Sequence, residues 1–366
     1  IFTVYVRGRD VVGNKNMPDT PAPASGTQFT MDRFLPVSRS TYPAAGGGAA
    51  VYLSSAISNI SGTAIDTDAG APSGLNNVNV RIRRYDSLGV PCYYNTTFGN
   101  WATTTAGDWM SPDGGPLTSW WKNMNLTDFN GANTGDCYNG ADKGNGFRFE
   151  VQSYARDNTQ PVNGGPNTEV AYATAAFIID YGTPTVSINF PVHNAFYNSL
   201  SSLTGVTVDS VPFANAIPGG LSAIWVELTD TEKNPDQYWN FNTQSWSAAY
   251  SSGAITAASN WSVLAASLPV NTVGAANSWW NTNRSSATFV LKVKVYDKAG
   301  NYNDFALNQS TFTFDRVNPT SWITTPATEG GSVTSAPSLA GSATDYTTGV
   351  TATADISTVQ IRIQQD

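Results

Sequence analysis

Few residues in this 366-residue chain can carry polar or metal chemistry, and their spacing narrows that chemistry further. The single histidine, His193, follows Phe190-Pro191-Val192, and no Gly-x-Ser-x-Gly elbow supplies a nucleophile for a His-dependent triad. It reads as a surface turn residue. Cys92 and Cys137 with His193 make three soft ligands where a structural zinc site takes four, and no Cys-x-x-Cys pair offers dithiol redox chemistry. The acids offer more. Asp66-Thr67-Asp68, Asp230-Thr231-Glu232 and Asp297 with Asn301 are oxygen-rich groups of the kind that holds Ca2+ at the junctions of many β arrays. None has EF-hand spacing, and Asp serves equally well as a turn former. No acid recurs beside the aromatic residues as a glycoside-hydrolysing pair would, so the expectation is a non-enzyme with no cofactor other than calcium.

The aromatic residues carry the second kind of chemistry. Trp120-Trp121 and Trp279-Trp280 stand in Asn-, Ser- and Thr-rich surroundings. Indole faces stack on sugar rings while amides and hydroxyls bond the sugar's own hydroxyls, so these four are candidate contacts for a polysaccharide or a neighbouring subunit. The competing reading puts the rings in a core. Adjacent residues on a strand face opposite sides of the sheet, so one Trp of each pair is expected inside and the other outside.

The elements that hold these residues must be strands. Only 13% of the residues are charged, Gly and Pro number 32 and 20, and Asp outnumbers Glu 22 to 5, a composition of turns rather than long helices. Aromatic residues reach 12%, too much apolar surface for a disordered chain. The net charge is -8 with no run of Lys or Arg longer than Arg83-Arg84, which disfavours nucleic acid and anionic membrane surfaces as partners. The longest apolar run, Val170 to Ile179, is about half of what spans a bilayer.

Self-similarity organises the chain. A strand ending in Asp, with a Pro four residues on, occurs at Phe29–Asp32 with Pro36, Phe177–Asp180 with Pro184, and Phe312–Asp315 with Pro319. A Gly-centred strand that also ends in Asp follows each: Ile60–Asp66, Leu203–Asp209 and Leu339–Asp345. Alternating strands come next, at Val78–Arg84, Ser222–Leu228 and Ser357–Ile363. The aromatic middle appears twice. Tyr94 and Trp101 match Trp239 and Trp246, and the order of the Trp residues then sets Trp109 against Trp261 and Trp120-Trp121 against Trp279-Trp280. A closing strand turns at Asp in Tyr5–Asn14, Val151–Asn158 and Val293–Asn301. Each repeat is therefore a series of short period-2 strands between Gly, Pro, Asn and Ser clusters, a pattern that closes most readily as a two-sheet sandwich.

These motifs together resemble the tandem bacterial immunoglobulin-like repeats of very large extracellular and cell-surface proteins, over nearly the whole chain. The resemblance implies an all-β fold of tandem immunoglobulin-like antiparallel β-sandwiches, each here with a Trp/Tyr-rich insertion. It also implies an extracellular or cell-surface location and a structural part in a filament, stalk or sheath. The alternative is a surface adhesin or glycan-binding array using the Trp-rich loops. Its partners would be copies of itself or further repeats of the same chain, with polysaccharide as a further ligand. The register gives closing strands at 1–32, complete repeats at 33–180 and 181–315, and opening strands at 316–366. The chain then reads either as a window of a longer array or as one link of a donor-strand polymer. The missing Trp middle of the spliced repeat favours the window.

In an extracellular protein Cys92 and Cys137, 45 residues apart in the first repeat, are expected to form a disulfide. Such a loop contributes about 3 to 4 kcal/mol in the chain-entropy account. Alkylation of the unreduced, denatured protein is accordingly expected to modify neither cysteine, and labelling of both would refute the bridge.

Overall fold

The computed structural model describes residues 1–6, 8–15, 26–44, 50–67, 73–85, 88–95, 100–103, 108–124, 144–159, 165–271, 275–279, 286–326, 335, 338–345 and 356–365. They are almost entirely strands and turns, and helix is confined among them to short 3-10 turns such as Ala265–Ser267. The chain forms two compact units. The first comprises Ile1–Gly182 with Val211–Gly219, and the second Thr183–Ser210 with Gly220–Asp366.

In the first unit, β1 (Phe2–Val4) pairs antiparallel with β2 (Thr27–Phe29) as a two-stranded sheet. The sandwich follows, from β3 (Val37–Tyr42), β4 (Val51–Leu53), β5 (Asn59–Ile65), β6 (Leu75–Tyr85), β7 (Cys92–Asn95), β8 (Asn100–Ala102), β9 (Trp120–Asn123), β10 (Phe147–Asp157) and β11 (Ala173–Ile179). One sheet has the order β3-β5-β9 and the other β4-β11-β10-β6-β7-β8. Val78, Val80 and Ile82 alternate inward along β6 and meet Ile60 of β5, Trp120 of β9 and Phe149 of β10 in one core. Asn79, Arg81 and Arg83 take the opposite face, as the pleat requires.

The second unit repeats this plan with β12 (Thr185–Phe190), β13 (Phe196–Tyr197), β14 (Ser202–Val208), β15 (Leu221–Asp230), β16 (Gln237–Asn240), β17 (Ser245–Ser247), β18 (Gly253–Ile255), β19 (Asn260–Leu264), β20 (Ser286–Asp297), β21 (Tyr302–Asn303) and β22 (Gln309–Asp315). Its sheets run β12-β14-β19 and β13-β22-β20-β15-β16-β17, with β18 on β15 and β21 on β20. The remaining strands, β23 (Thr320–Thr325) and β24 (Ala340–Thr344), form an antiparallel pair. The fold class is thus all-β, with immunoglobulin-like sandwiches. One feature departs from a purely antiparallel pattern. β4 pairs parallel with β11 and β13 parallel with β22, because the chain crosses from the three-stranded sheet to the edge of the other without reversing direction.

The aromatic middle is part of the sheets rather than an appendage to them. Trp101, Trp120, Trp239 and Trp279 are among the largest fully buried side chains. Trp120 of β9 lies against Gly62 of β5, where a Cβ would run into its ring and the Arg39 carbonyl, and Trp261 of β19 lies in the same way against Gly205 of β14. The structural partner of Trp261 is therefore Trp120, which overturns both the match of Trp109 to Trp261 and that of Trp120-Trp121 to Trp279-Trp280. The two middles differ in length by four residues between the shared landmarks, so counting Trp in order slips the alignment. Trp109 packs instead over Arg81 on the outer face of the six-stranded sheet, 4.4 Å from ring centroid to guanidinium.

This close approach gives a direct test. Gly62→Ala and Gly205→Ala are each expected to lower unfolding free energy by about 1–3 kcal/mol, the usual cost of overpacking, with no change in denaturant m-value. An unchanged denaturant midpoint would show that the indole does not press on the strand.

Candidate functional site

The acids that the fold brings together lie at strand ends. β5 ends next to Asp66, β10 ends at Asp157, and Asp32 lies between β2 and β3. One carboxylate oxygen from each of Asp32, Asp66 and Asp157 comes within 4.8 Å of the others, a group able to hold a metal ion. Backbone donors set the rotamers. Asp32 accepts the N–H groups of Phe34 at 3.0 Å and Ser73 at 2.9 Å, and Asp66 Oδ2 accepts that of Gly74 at 2.8 Å. Asp157 Oδ1 accepts the N–H groups of Thr159 and Asn167, both at 3.0 Å, while its Oδ2 accepts from the Asn167 amide at 2.7 Å. The same amide reaches the carbonyl oxygens of Asp32 and Phe34, which ties the junction segment to the end of β10.

Burial pushes the Asp32 carboxyl upward, but the donors from Ser73 and Phe34 outweigh it and hold the group below the usual carboxylate range. Among the described residues no Lys or Arg forms an ion pair with any of the three. Asp66 Oδ1 is buried with no hydrogen-bond donor. Converging oxygen ligands and an undonated oxygen fit a hard cation such as Ca2+, which takes six to eight oxygens.

Of the acids singled out in the sequence, Asp66 belongs to this group and Asp68 lies outside the described residues. In the second unit, Asp209 and Asp297, the counterparts of Asp66 and Asp157, bring carboxylate oxygens within 4.8 Å of each other. Asp297 also closes its own turn by accepting the Asn301 N–H at 2.9 Å. Asp230 and Glu232 do not join a group of three acids among the described residues. Asp230 Oδ1 accepts the Glu232 N–H at 3.2 Å, and Glu232 accepts that of Thr288 at 2.9 Å, so both serve the turn after β15. Sequence reasoning named Asp32 and Asp157 only as repeat landmarks. Their recurrence at fixed register beside the Gly-centred strand was the signal that they share a site.

The other candidates divide cleanly. Trp120 and Trp279 are 1% exposed and fill the cores, which removes both from any glycan or inter-subunit surface. Trp279 stacks on Phe314 with ring centroids 4.6 Å apart. Trp121 is 38% exposed, as the alternation along β9 requires, with its ring over Gly114; Trp280 lies outside the described residues. Cys92 is fully buried in the first core, and Cys137 lies outside the described residues. His193 sits in an exposed turn, where Nδ1 accepts the Thr311 N–H at 3.0 Å.

The outer faces of the large sheets carry interleaved charges and rings. In the first unit Arg81 lies between Trp109 and Tyr172 and pairs with Asp108 at 3.1 Å. Glu150 receives Arg83, Arg148 and the Tyr85 hydroxyl, and burial together with that carboxylate pushes the Tyr85 phenol up to about 12. In the second unit Lys292 pairs with Glu227 at 2.8 Å and Lys294 lies over Tyr296 and Tyr302. Most of these side chains pair with one another, while Arg83 Nε is buried with no hydrogen-bond partner.

No known protein family matches the chain, and no curated protein sequence matches it. Solved structures that it resembles include the fibronectin(III)-like modules of CbhA from Clostridium thermocellum, at 10% identity over 76% of this chain and 93% of that one, with a TM-score of 0.27. Another is a Ca2+-stabilized adhesin with which an Antarctic bacterium binds ice, at 14% identity over 87% of this chain and 59% of that one, with a TM-score of 0.25. At such scores the fold class rests on the sheets described above.

Proposed function

We propose that the chain is a structural segment of an extracellular filament, stalk or sheath, built from tandem immunoglobulin-like repeats and stiffened by calcium. The observation that carries this reading is the recurrence of one construction. Two sandwiches share a strand order, a Trp-on-Gly lock and an Asp at each of two matching strand ends, which is what a repeated mechanical module needs and what a single active site does not. Asp32, Asp66 and Asp157 hold the cation in the first repeat, and Asp209 and Asp297 serve the second. The bridge of Cys92 to Cys137 fastens the aromatic middle of the first repeat. No helix among the described residues is long and apolar enough to cross a membrane.

Exposed Trp121 favours a second reading, an adhesin that stacks its indole on a polysaccharide. Negative-stain images of native material separate the two. Long regular fibres support the structural reading, whereas dispersed rods retained on a glycan column, with Trp fluorescence shifted by the eluting sugar, support the adhesin.

Calcium at about 100 times its dissociation constant is expected to raise stability by about 2.7 kcal/mol, seen as a higher Tm, and chelation should reverse it. Asp66→Asn should abolish most of the first repeat's share. A melting curve identical in calcium and in chelator would remove the metal from this proposal. In chelator, the depressed Asp32 carboxyl should contribute stability above the ordinary carboxylate range and lose it as pH falls through its lowered value, so Asp32→Asn should flatten the acid limb of the stability curve.

A further inference from the structure

One tryptophan of the second unit has no part in its core. Trp225 of β15 is 36% exposed on the outer face of the large sheet, while Ile224 and Val226 on either side of it are wholly buried. In the ladder it lies between Lys294 of β20 and Ala254 of β18, so the indole has an ammonium on one flank and only a methyl group on the other. Counting from Leu75 and Leu221, which open β6 and β15, its counterpart in the first unit is Asn79. A sandwich of this plan therefore forms without a ring at this place, and core packing does not account for the exposed indole.

The surface beside the indole is a groove. Trp225 shares with Ser222, Ala223, Tyr296, Lys298 and Gly300 the lining of an open space of about 430 Å3, within the roughly 300–1,000 Å3 usual for ligand sites. Ala223 lies opposite Tyr296 in the ladder and on the same face as Trp225, and its methyl group is too short to fill that space. Lys294 supplies charge next to it. Its ammonium lies 3.8 Å from the ring centroid of Tyr302 and 4.8 Å from that of Tyr296, and among the described residues it forms no ion pair, whereas Lys292 is paired with Glu227. Hydrogen bonding to Tyr296, with weaker attraction from Tyr302 and Asp304, raises the Lys294 ammonium above the usual lysine range and keeps it charged at neutral pH.

We propose that this face of the second repeat binds an acidic polysaccharide, with a sugar ring stacked on Trp225 and the carboxylate of a uronate on Lys294. The inference goes beyond the filament reading, which needs no ligand here, and it does not depend on Trp121 of the first repeat. An indole offers a flat apolar face to the C–H side of a sugar, the Ser222 hydroxyl can bond the sugar's own hydroxyls, and an ammonium with no acid of its own pairs with a carboxylate. A protein partner is less suited, because the apolar surface is one indole wide and bounded by Glu227, Lys292 and Lys294. The net charge of -8 does not keep a polyanion away, since at physiological ionic strength charges beyond about 8 Å are largely screened.

The test is affinity electrophoresis of the 366-residue chain through gels containing hyaluronan, a uronate-bearing polymer, or carboxyl-reduced hyaluronan of the same length. Retardation by the acidic polymer alone, weakening as salt is raised, is the expected result. Trp225→Ala should lower the apparent affinity by more than about fivefold, and Trp225→Phe should restore part of it. Lys294→Gln should remove the preference for the acidic polymer. Both positions are on the outer face, so the melting temperatures of these variants should match that of the parent chain. Equal retardation by both polymers, no retardation by either, or retardation that survives Trp225→Ala overturns the proposal. Retardation lost with Trp121→Ala but not with Trp225→Ala also overturns it, and supports the adhesin reading of the first repeat instead. The filament reading stands or falls separately, on the images of native material.

Discussion

The contact on which each sandwich depends is an indole pressed against a strand where no side chain intervenes. Gly62 and Gly205 leave the middle strand of the small sheet bare, and Trp120 and Trp261 lie flat against it from the neighbouring strand. Their ring N–H groups are buried with no acceptor among the described residues, whereas Trp239 and Trp246 donate to the carbonyls of Ser267 and Ser278. An orphaned donor costs about 1–3 kcal/mol, so packing alone must hold Trp120 and Trp261 in place. The area that an indole removes from water is large enough to outweigh that cost, provided the Gly stays bare. The small sheets add Ile60 and Ala64 to the first core and Val186, Leu203 and Val263 to the second.

With the core set by rings, the large sheets are free to spend their outer faces on charge. Arg81, Arg83, Arg148 and Glu150 interleave with Tyr and Trp on one unit, and Glu227, Lys292 and Lys294 do so on the other. The signs differ at matching positions, since Arg81 and Glu227 occupy the same place in the ladder, opposite Gln152 and Lys292. Arg81 donates to the neutral Gln152 across the ladder and finds its acid in Asp108, whereas Glu227 finds its base in Lys292 directly opposite. The acids of these pairs, Asp108, Glu150 and Glu227, are buried, so the cost of taking them out of water offsets much of the attraction that each pair gains.

How much of this was legible in the sequence depends on whether a residue's neighbours lie along the chain or across it. Period-2 alternation disclosed β6, β15 and β20, and the Asp-to-Pro junctions disclosed the repeat, because both are local. The prediction that one Trp of each pair would turn inward followed from the pleat alone, and Trp120 and Trp121 obey it. Trp109 and Trp261 were mismatched because an insertion of four residues leaves composition unchanged while moving a ring to another strand. The parallel edge strands β4 and β13 are three and two residues long, too short for any pattern. Asp32, Asp66 and Asp157 converge from positions 34 and 91 residues apart, a meeting that only the sheet order determines.

β20 shows the same logic along one strand: four successive inward residues, Phe289, Leu291, Val293 and Val295, are wholly buried, while the residues between them take the other face. Sequence alternation therefore fixes which face is apolar, and the facing sheet covers it. Net charge does not decide whether covering occurs. The formal -8 is spread over 366 residues with both signs interspersed, and at physiological ionic strength interactions fade within about 8 Å. Short-range strand pairing and apolar burial therefore outweigh long-range charge in setting the register of each sandwich.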